Sequence, residues 1–205
     1  PEAGAPPRCY GTSGAITRIW RGTTERIATG LPSLAPVNGS GAGGATDISF
    51  LGRGGAYVMV GLGGEPEAVR ASLGAAGAGF GRIYHLPASG RWQAADDVAA
   101  HEFSNPDGGA IDTNPYAVLA LPSRRVVADA GANALIEVAA NGVTSTLAVF
   151  PSQMVPAPPF LGLPPGTQIP SQAVPTSVAV GPDGAFYVGQ LTGFPFPVGG
   201  ASVWR

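Results

Sequence analysis

The densest set of side chains able to do chemistry lies between residues 105 and 115. Asn105, Asp107, Asp112, Thr113 and Asn114 supply two carboxylates, two amides and a hydroxyl in one short stretch. Hard oxygen donors of this kind suit a calcium ion, with Asp107, Asp112 and Asn114 as the candidate metal ligands, or they orient a polar ligand. The same residue types also build turns with no ligand at all: Asp107-Gly108 reads as a β-turn and Asn114-Pro115 as an extended corner. Asp129 and Asn133 repeat the acid and amide combination, either capping a short turn or adding to a ligand set. Gln190, Phe194 and Phe196 complete the candidate ligand-binding residues. Phe194-Pro195-Phe196-Pro197 holds two aromatic rings on a stiff loop, suited to stacking on a ligand or to packing against the fold.

No catalytic residue is assigned. His101-Glu102 could exchange a proton, but it lacks the second histidine of a zinc-protease helix. His85, the other imidazole, falls in a strand as a surface or internally satisfied residue. Gly39 to Gly44 fits a dinucleotide-binding glycine pattern, yet it precedes a strand rather than opening a helix, so no helix N-terminus would meet a pyrophosphate. No Gly-x-Ser-x-Gly elbow exists. Asn38-Gly39-Ser40 fits a glycosylation sequon, which matters only in a eukaryotic secretory path.

The composition bounds the rest. The chain has 205 residues with 32 Gly and 21 Pro, but 44% hydrophobic against 12% charged residues, and that balance buries a core. Net charge is −2, all 11 basic residues are Arg, and no basic run exists, which excludes nucleic acid as the expected partner. No apolar run reaches the length of a membrane span. The single Cys9 cannot close a disulfide within the chain, and two His cannot build a structural zinc site with it. Pro1-Glu2-Ala3-Gly4 is neither a Met start nor a signal peptide, so a processed or truncated chain is expected.

The elements that must position these residues are short strands. Period-two alternation appears over Ala15–Trp20, Thr24–Thr29, Asp47–Leu51, Ala56–Leu62, Arg82–Leu86, Trp92–Val98, Tyr116–Leu121, Arg125–Ala130, Ala134–Ala139, Thr144–Phe150, Thr176–Val180, Ala185–Leu191 and Ser202–Arg205. Glu65 to Ala76 has helical propensity, confined by glycines to one or two turns. The strands return in one order. Ile19, Ile83, Ile136 and Val203 occupy equivalent places, as do Ile48, Val118 and Val178, giving units of four strands, A to D, with tight turns at Gly22, Gly52–Gly55, Ala88–Gly90, Pro122–Arg124, Asn141-Gly142 and Pro182-Asp183-Gly184. A repeating four-strand unit is the signature of a β-propeller blade; a β-sandwich is the rival. The expected fold is all-β: a partial, about half, six-bladed β-propeller of four-stranded antiparallel blades. It forms a single domain over 1–205 with blade parts at about 9–30, 46–99, 115–150 and 175–205. A-B and C-D turns then share one face. The long connections Gly30–Thr46, Gly63–Gly79, Ala99–Pro115, Pro151–Pro175 and Thr192–Gly200 share the other, where a site is expected.

Several long words of the sequence point to a family. Cys9-Tyr10-Gly11 through Ala15-Ile16-Thr17-Arg18-Ile19, Asn105-Pro106-Asp107-Gly108-Gly109, Asp112-Thr113-Asn114-Pro115-Tyr116, Val127 to Leu135, Val174 to Gly184 and Tyr187 to Pro197 resemble the ScyD/ScyE family, associated with scytonemin biosynthesis. The resemblance runs through nearly the whole chain. It implies an exported, six-bladed NHL-like propeller, secreted or held in an extracellular or periplasmic space, with no reaction established for the family at large. Family members are longer at both ends, so this chain reads as an interior segment whose ring is completed by further residues or by another chain.

Three functions are expected from these features. One is a binding scaffold whose rim loops hold a small molecule or a protein. The second is a metal-dependent, lactonase-like propeller hydrolase, with calcium as the candidate cofactor. The third is a fragment or subunit of an extracellular assembly.

Overall fold

The structure is a computed structural model that describes residues 8–53, 55–88 and 91–205. Pro1 to Gly4 and parts of the turns expected at Gly52–Gly55 and Ala88–Gly90 lie outside the described residues. Strands account for 51% of the described residues and helical turns for 11%.

Successive strands pair antiparallel with their sequence neighbours. β1 (Arg8–Trp20) and β2 (Thr23–Pro36) form a hairpin; β3 (Ala45–Phe50), β4 (Gly55–Val60), β5 (Arg82–Pro87) and β6 (Gln93–Asp97) form a four-stranded meander. A second meander contains β7 (Pro115–Leu121), β8 (Arg124–Asp129), β9 (Ala134–Ala139) and β10 (Thr144–Val149). β11 (Gln153–Pro156) pairs with β12 (Gln168–Ser171), and β13 (Pro175–Val180), β14 (Phe186–Gln190) and β15 (Ser202–Trp204) make a three-stranded sheet. The one α-helix among the described residues, α1 (Pro66–Ser72), sits inside the expected Glu65–Ala76 segment and is capped by the Glu65 carboxylate on the N–H groups of Glu67 and Ala68.

The alternation of the strands divides the apolar residues between separate cores. On β4, Ala56, Val58 and Val60 join Leu31, Leu34 and Phe80 in a cluster shared with the β1–β2 hairpin, whereas Met59 points the opposite way. Met59 and Ile83 meet Val118, Val127, Ile136 and Val138 of the next sheet. From the far face of that sheet Val126, Ala128 and Leu135 meet Phe150 and Val188. Each meander is therefore buried on both faces, one against the sheet before it and one against the sheet after it. Period-two patterning fits this arrangement because adjacent side chains enter different cores.

Strand direction sorts the connections by end. The β1–β2, β3–β4, β5–β6, β7–β8, β9–β10 and β13–β14 turns are tight and lie at one end; Arg21 and Gly22, with φ of 47° and 79°, give the first of them the left-handed pair that matches hairpin twist. The β2–β3, β4–β5, β6–β7, β10–β13 and β14–β15 connections are long and share the other end with the short β8–β9 turn. Side chains stitch neighbouring sheets together. Asp47 Oδ2 accepts from Val118 N at 2.8 Å and Ser49 Oγ from Ala120 N at 2.9 Å, so β3 satisfies the open edge of β7. Arg125, with Asp96 at 2.6 Å and only about a tenth of each side chain exposed, bridges the second meander to the first, and its guanidinium lies over the Tyr57 ring at 5.4 Å.

Two expectations need correction. β2 continues to Pro36, through part of the segment expected to be loop from Gly30. The Pro151–Pro175 connection holds the β11–β12 hairpin. Pro156 and Pro170 concealed it: proline cannot donate to a ladder and reads as a break, yet it is accommodated in a two-stranded ribbon whose outer edges are free.

Ile136 is fully buried between the two meanders, so Ile136→Ala is expected to cost about 2–5 kcal/mol in urea unfolding. Ile19→Ala, on a side chain 76% exposed, is expected to change stability by less than about 0.5 kcal/mol.

Candidate functional site

Asp129 ends β8 at the long-loop end and is 1% exposed. Its carboxylate accepts from Thr113 Oγ1, from Asn114 N at 2.7 Å, from Gly131 N at 3.0 Å and from Ala132 N at 3.1 Å. Burial pushes its pKa up, while these donors pull it down. The group thus fastens the β6–β7 connection to the β8–β9 turn. Gly131 permits the close approach, since a Cβ there would lie 2.8 Å from Thr113 Cα and from Asn114 N.

Asn133 continues the fastening. Its Nδ2 donates to Asp107 Oδ2 at 2.9 Å and to Gly131 O at 3.1 Å, and its Oδ1 accepts from Val174 N at 3.2 Å. Leu191 N then donates to Val174 O at 3.0 Å. Asp107, Asn133, Val174 and the segment after Gln190 thereby form one hydrogen-bonded chain across three sheets. On the opposite side, Gly63 N and Gly64 N donate to Thr113 O at 3.1 and 3.2 Å, joining the β4–β5 connection to the same cluster. The 105–115 segment consequently sits among the long connections. The Asp183-Gly184 turn is occupied with Arg205, Tyr187 and its own backbone.

The individual candidates divide by their surroundings. Asp107 Oδ1 accepts from Gly109 N at 2.7 Å, so the expected turn forms and both oxygens have protein donors. Asp112 is half-buried, and burial raises its pKa against the lowering by the Gly64 N–H. Asn105, with φ of 45°, sends Nδ2 to Gly109 O at 3.2 Å, while its buried Oδ1 has no partner. Asn114 contributes its backbone to Asp129, and its Oδ1 lies where a Cβ on Gly61 would be 2.9 Å away. Gln190 is 5% exposed and accepts from Trp204 Nε1, which fixes β14 to β15. Phe194 and Phe196 lie edge to face at 6.2 Å and stay 45% and 69% exposed. Among the described residues no three His, Cys, Asp or Glu side chains are arranged to hold a metal.

Glu102, noted in the sequence only as able to exchange a proton together with His101, joins the site. It lies in a 3-10 turn, Ala99–Ser104, is 1% exposed, and accepts from Asp112 N at 3.0 Å through Oε1; Oε2 is buried with no partner. Burial raises its pKa to about 7, opposed by the Asp112 N–H and assisted by the charges of Asp129, Asp107 and Asp112. His101 beside it is closed off: its two ring nitrogens meet Thr144 Oγ1 at 3.0 Å and Thr146 Oγ1 at 2.8 Å. Phe160, edge to face with Phe194 at 6.1 Å and 77% exposed, is an unexpected member of the rim. The sequence pointed to Glu102 only through its pairing with His101, and nothing in it distinguishes a buried acid from a solvated one.

No family model, curated protein or solved structure matches the chain.

The raised Glu102 pKa makes stability depend on pH with a definite sign. Between about 4.5 and 7 the folded chain keeps a proton that the unfolded chain has lost, so this group's contribution falls as pH rises through that window. His101, whose pKa burial lowers, acts oppositely and loses stability as pH falls below its ordinary value of 6.5. Glu102→Gln keeps the acceptor for Asp112 N and removes the titration. The melting-temperature difference between Glu102→Gln and the parent chain is expected to be small at pH 4.5 and to grow in the variant's favour up to pH 7.5. A difference independent of pH would refute the buried, protonated acid.

Proposed function

We propose that the chain is an exported β-propeller binding scaffold of the ScyD/ScyE kind, making its ligand or partner contacts on the face of the long connections. The observation that supports this most is the one-sided elaboration. Tight turns occupy one end, whereas the long connections at the other are tied together through Asp129 and Asn133. Sheets buried on both faces between their predecessors and successors are what radially arranged blades require. On this reading the chain contributes about half of a six-bladed ring, and further residues or another chain complete it. Secretion follows from the family resemblance alone. No helix is long and apolar enough to cross a membrane among the described residues.

The acidic group Glu102, Asp107, Asp112 and Asp129, which has no Arg partner among the described salt bridges, favours metal-dependent hydrolysis as a second reading. Asp107, Asp112 and Asn114 are its proposed calcium ligands. The residues do not fit a preformed site, because Asp107 is already shared between Gly109 N and Asn133; a cation would have to displace these donors.

Hydrogen exchange on ligands found in a thermal-shift screen tests the binding reading. Protection is expected within 61–81, 98–114, 130–133, 150–174 and 191–201; protection confined to the tight-turn end would overturn it. Millimolar Ca²⁺ or Mn²⁺ is expected to leave the melting temperature of the parent chain within about one degree, whereas a rise of several degrees that Asp107→Asn abolishes, with lactone turnover, would establish the hydrolase instead. Mass spectrometry and size-exclusion chromatography of native material are expected to report a longer polypeptide or an oligomer.

A further inference from the structure

A cavity of about 410 Å³ opens between the upper part of the β1–β2 hairpin, the segment leading into β3, and Tyr116 at the start of β7. It belongs to the long-loop end, but it is separate from the 105–115 cluster. Its walls are Gly, Ala, Ser and Thr together with the Tyr116 side chain, and no Asp, Glu, Arg or His lines it.

The hydroxyls are placed there by a local irregularity. The β1–β2 register shifts between Gly11 and Gly14 and again between Gly14 and Ala15, a bulge that takes Ser13 out of the regular ladder. Ser13 Oγ and Ser33 Oγ lie 2.9 Å apart, and Ser13 N donates to Ser33 Oγ at 3.3 Å. That pair consumes only one of its two hydroxyl protons, leaving a donor and free lone pairs at the cavity wall. Gly14 is needed for the bulge to close: a Cβ there would stand 2.8 Å from Leu31 O. Thr46 Oγ1 holds only a 3.4 Å contact to Met59 O, and Tyr116 is 40% exposed with no hydrogen bond from its hydroxyl among the described residues. Four hydroxyl-bearing side chains thus border an open, uncharged depression of ligand size.

We infer that this cavity is a binding site for a small, neutral polyhydroxy compound of monosaccharide or cyclitol size. Hydroxyl groups that both donate and accept pair with their own kind in either direction, which Ser13, Ser33, Thr46 and Tyr116 permit. A charged ligand would give up hydration with no ionic partner in return. The small side chains leave ring-sized clearance, and the Tyr116 ring supplies an apolar wall for the C–H face of a sugar or cyclitol. The inference deepens the binding reading by giving it one site and one ligand class.

Saturation-transfer NMR with D-glucose and myo-inositol, set beside D-glucuronate and D-glucosamine, tests it on the full chain. The neutral compounds are expected to bind saturably in the millimolar range, and the charged pair at least tenfold more weakly. Ser13→Ala with Ser33→Ala is expected to weaken binding at least tenfold, and Ala42→Trp, which fills the cavity, to abolish it. Val143→Ser, on an exposed residue at the opposite end, is expected to leave it unchanged. Circular dichroism checks the fold of each variant, and the serine pair decides the matter where Ala42→Trp does not fold. Absence of saturable binding, equal binding of glucuronate, or binding unaffected by the serine pair overturns this site. Exchange protection at the long-loop end by a different ligand would still support the scaffold reading.

Discussion

The arrangement depends on one buried carboxylate. Asp129 has left water almost completely, and four donors from two separate segments converge on it. Removing a carboxylate from water is costly unless its lone pairs are met, and here they can be met only when Thr113, Asn114, Gly131 and Ala132 are all in place. The β6–β7 connection therefore has little freedom to rest elsewhere. From that anchor Asn133 extends the fastening to Asp107 and to Val174, and Thr113 extends it to Gly63 and Gly64. A residue that looked like a ligand donor in the sequence is the fixing point for those around it.

What the sequence reveals follows from what each signal measures. Strands such as β4, β8 and β9 were legible because alternating residues enter two cores, so the period survives although both faces are apolar. The repeat of Ile83 and Ile136 located equivalent strands for the same reason. The β11–β12 hairpin was hidden because Pro156 and Pro170 suppress the local signal while the pairing is tolerated at free edges. In the site, the turn-forming roles of Asp107 and of Asp129 with Asn133 were legible, but their long-range partners were not. Whether a carboxylate faces solvent or four N–H and O–H donors is decided by residues distant in sequence, as with Val174 and Asn133. Glu102 was noticed beside His101 as a group able to exchange a proton, but its burial was not, because that arises from packing of the 3-10 turn, which carries no periodic signature. The Ser13 and Ser33 pair was equally invisible, since a bulge in register leaves only ordinary small residues in the text.

The two ends of the molecule are stabilised by different means. At the tight-turn end Arg125 and Asp96 form a buried ion pair covered by the Tyr57 ring, a contact between sheets that does not involve the loops. At the other end amides, backbone N–H groups and buried acids do much of the joining, together with Asp97, which pairs with Arg70 at 2.7 Å and with Arg82 at 2.8 Å. The buried Glu102 makes that end sensitive to proton concentration, whereas pairs near the surface such as Arg124 and Glu137 are screened by ions.

The division of the interior into three clusters, each shared by two consecutive sheets, gives the chain a linear rather than a concentric architecture. In an ordinary globule every element leans on one common centre, and loss of any part weakens all of it. Here the coupling runs between nearest neighbours, as in stacked repeat arrays. Among the described residues the β1–β2 hairpin shares its cluster with the first meander, and the two meanders meet in a different cluster, so each junction can loosen on its own. Local opening is consequently governed junction by junction, by the cluster that two consecutive sheets share.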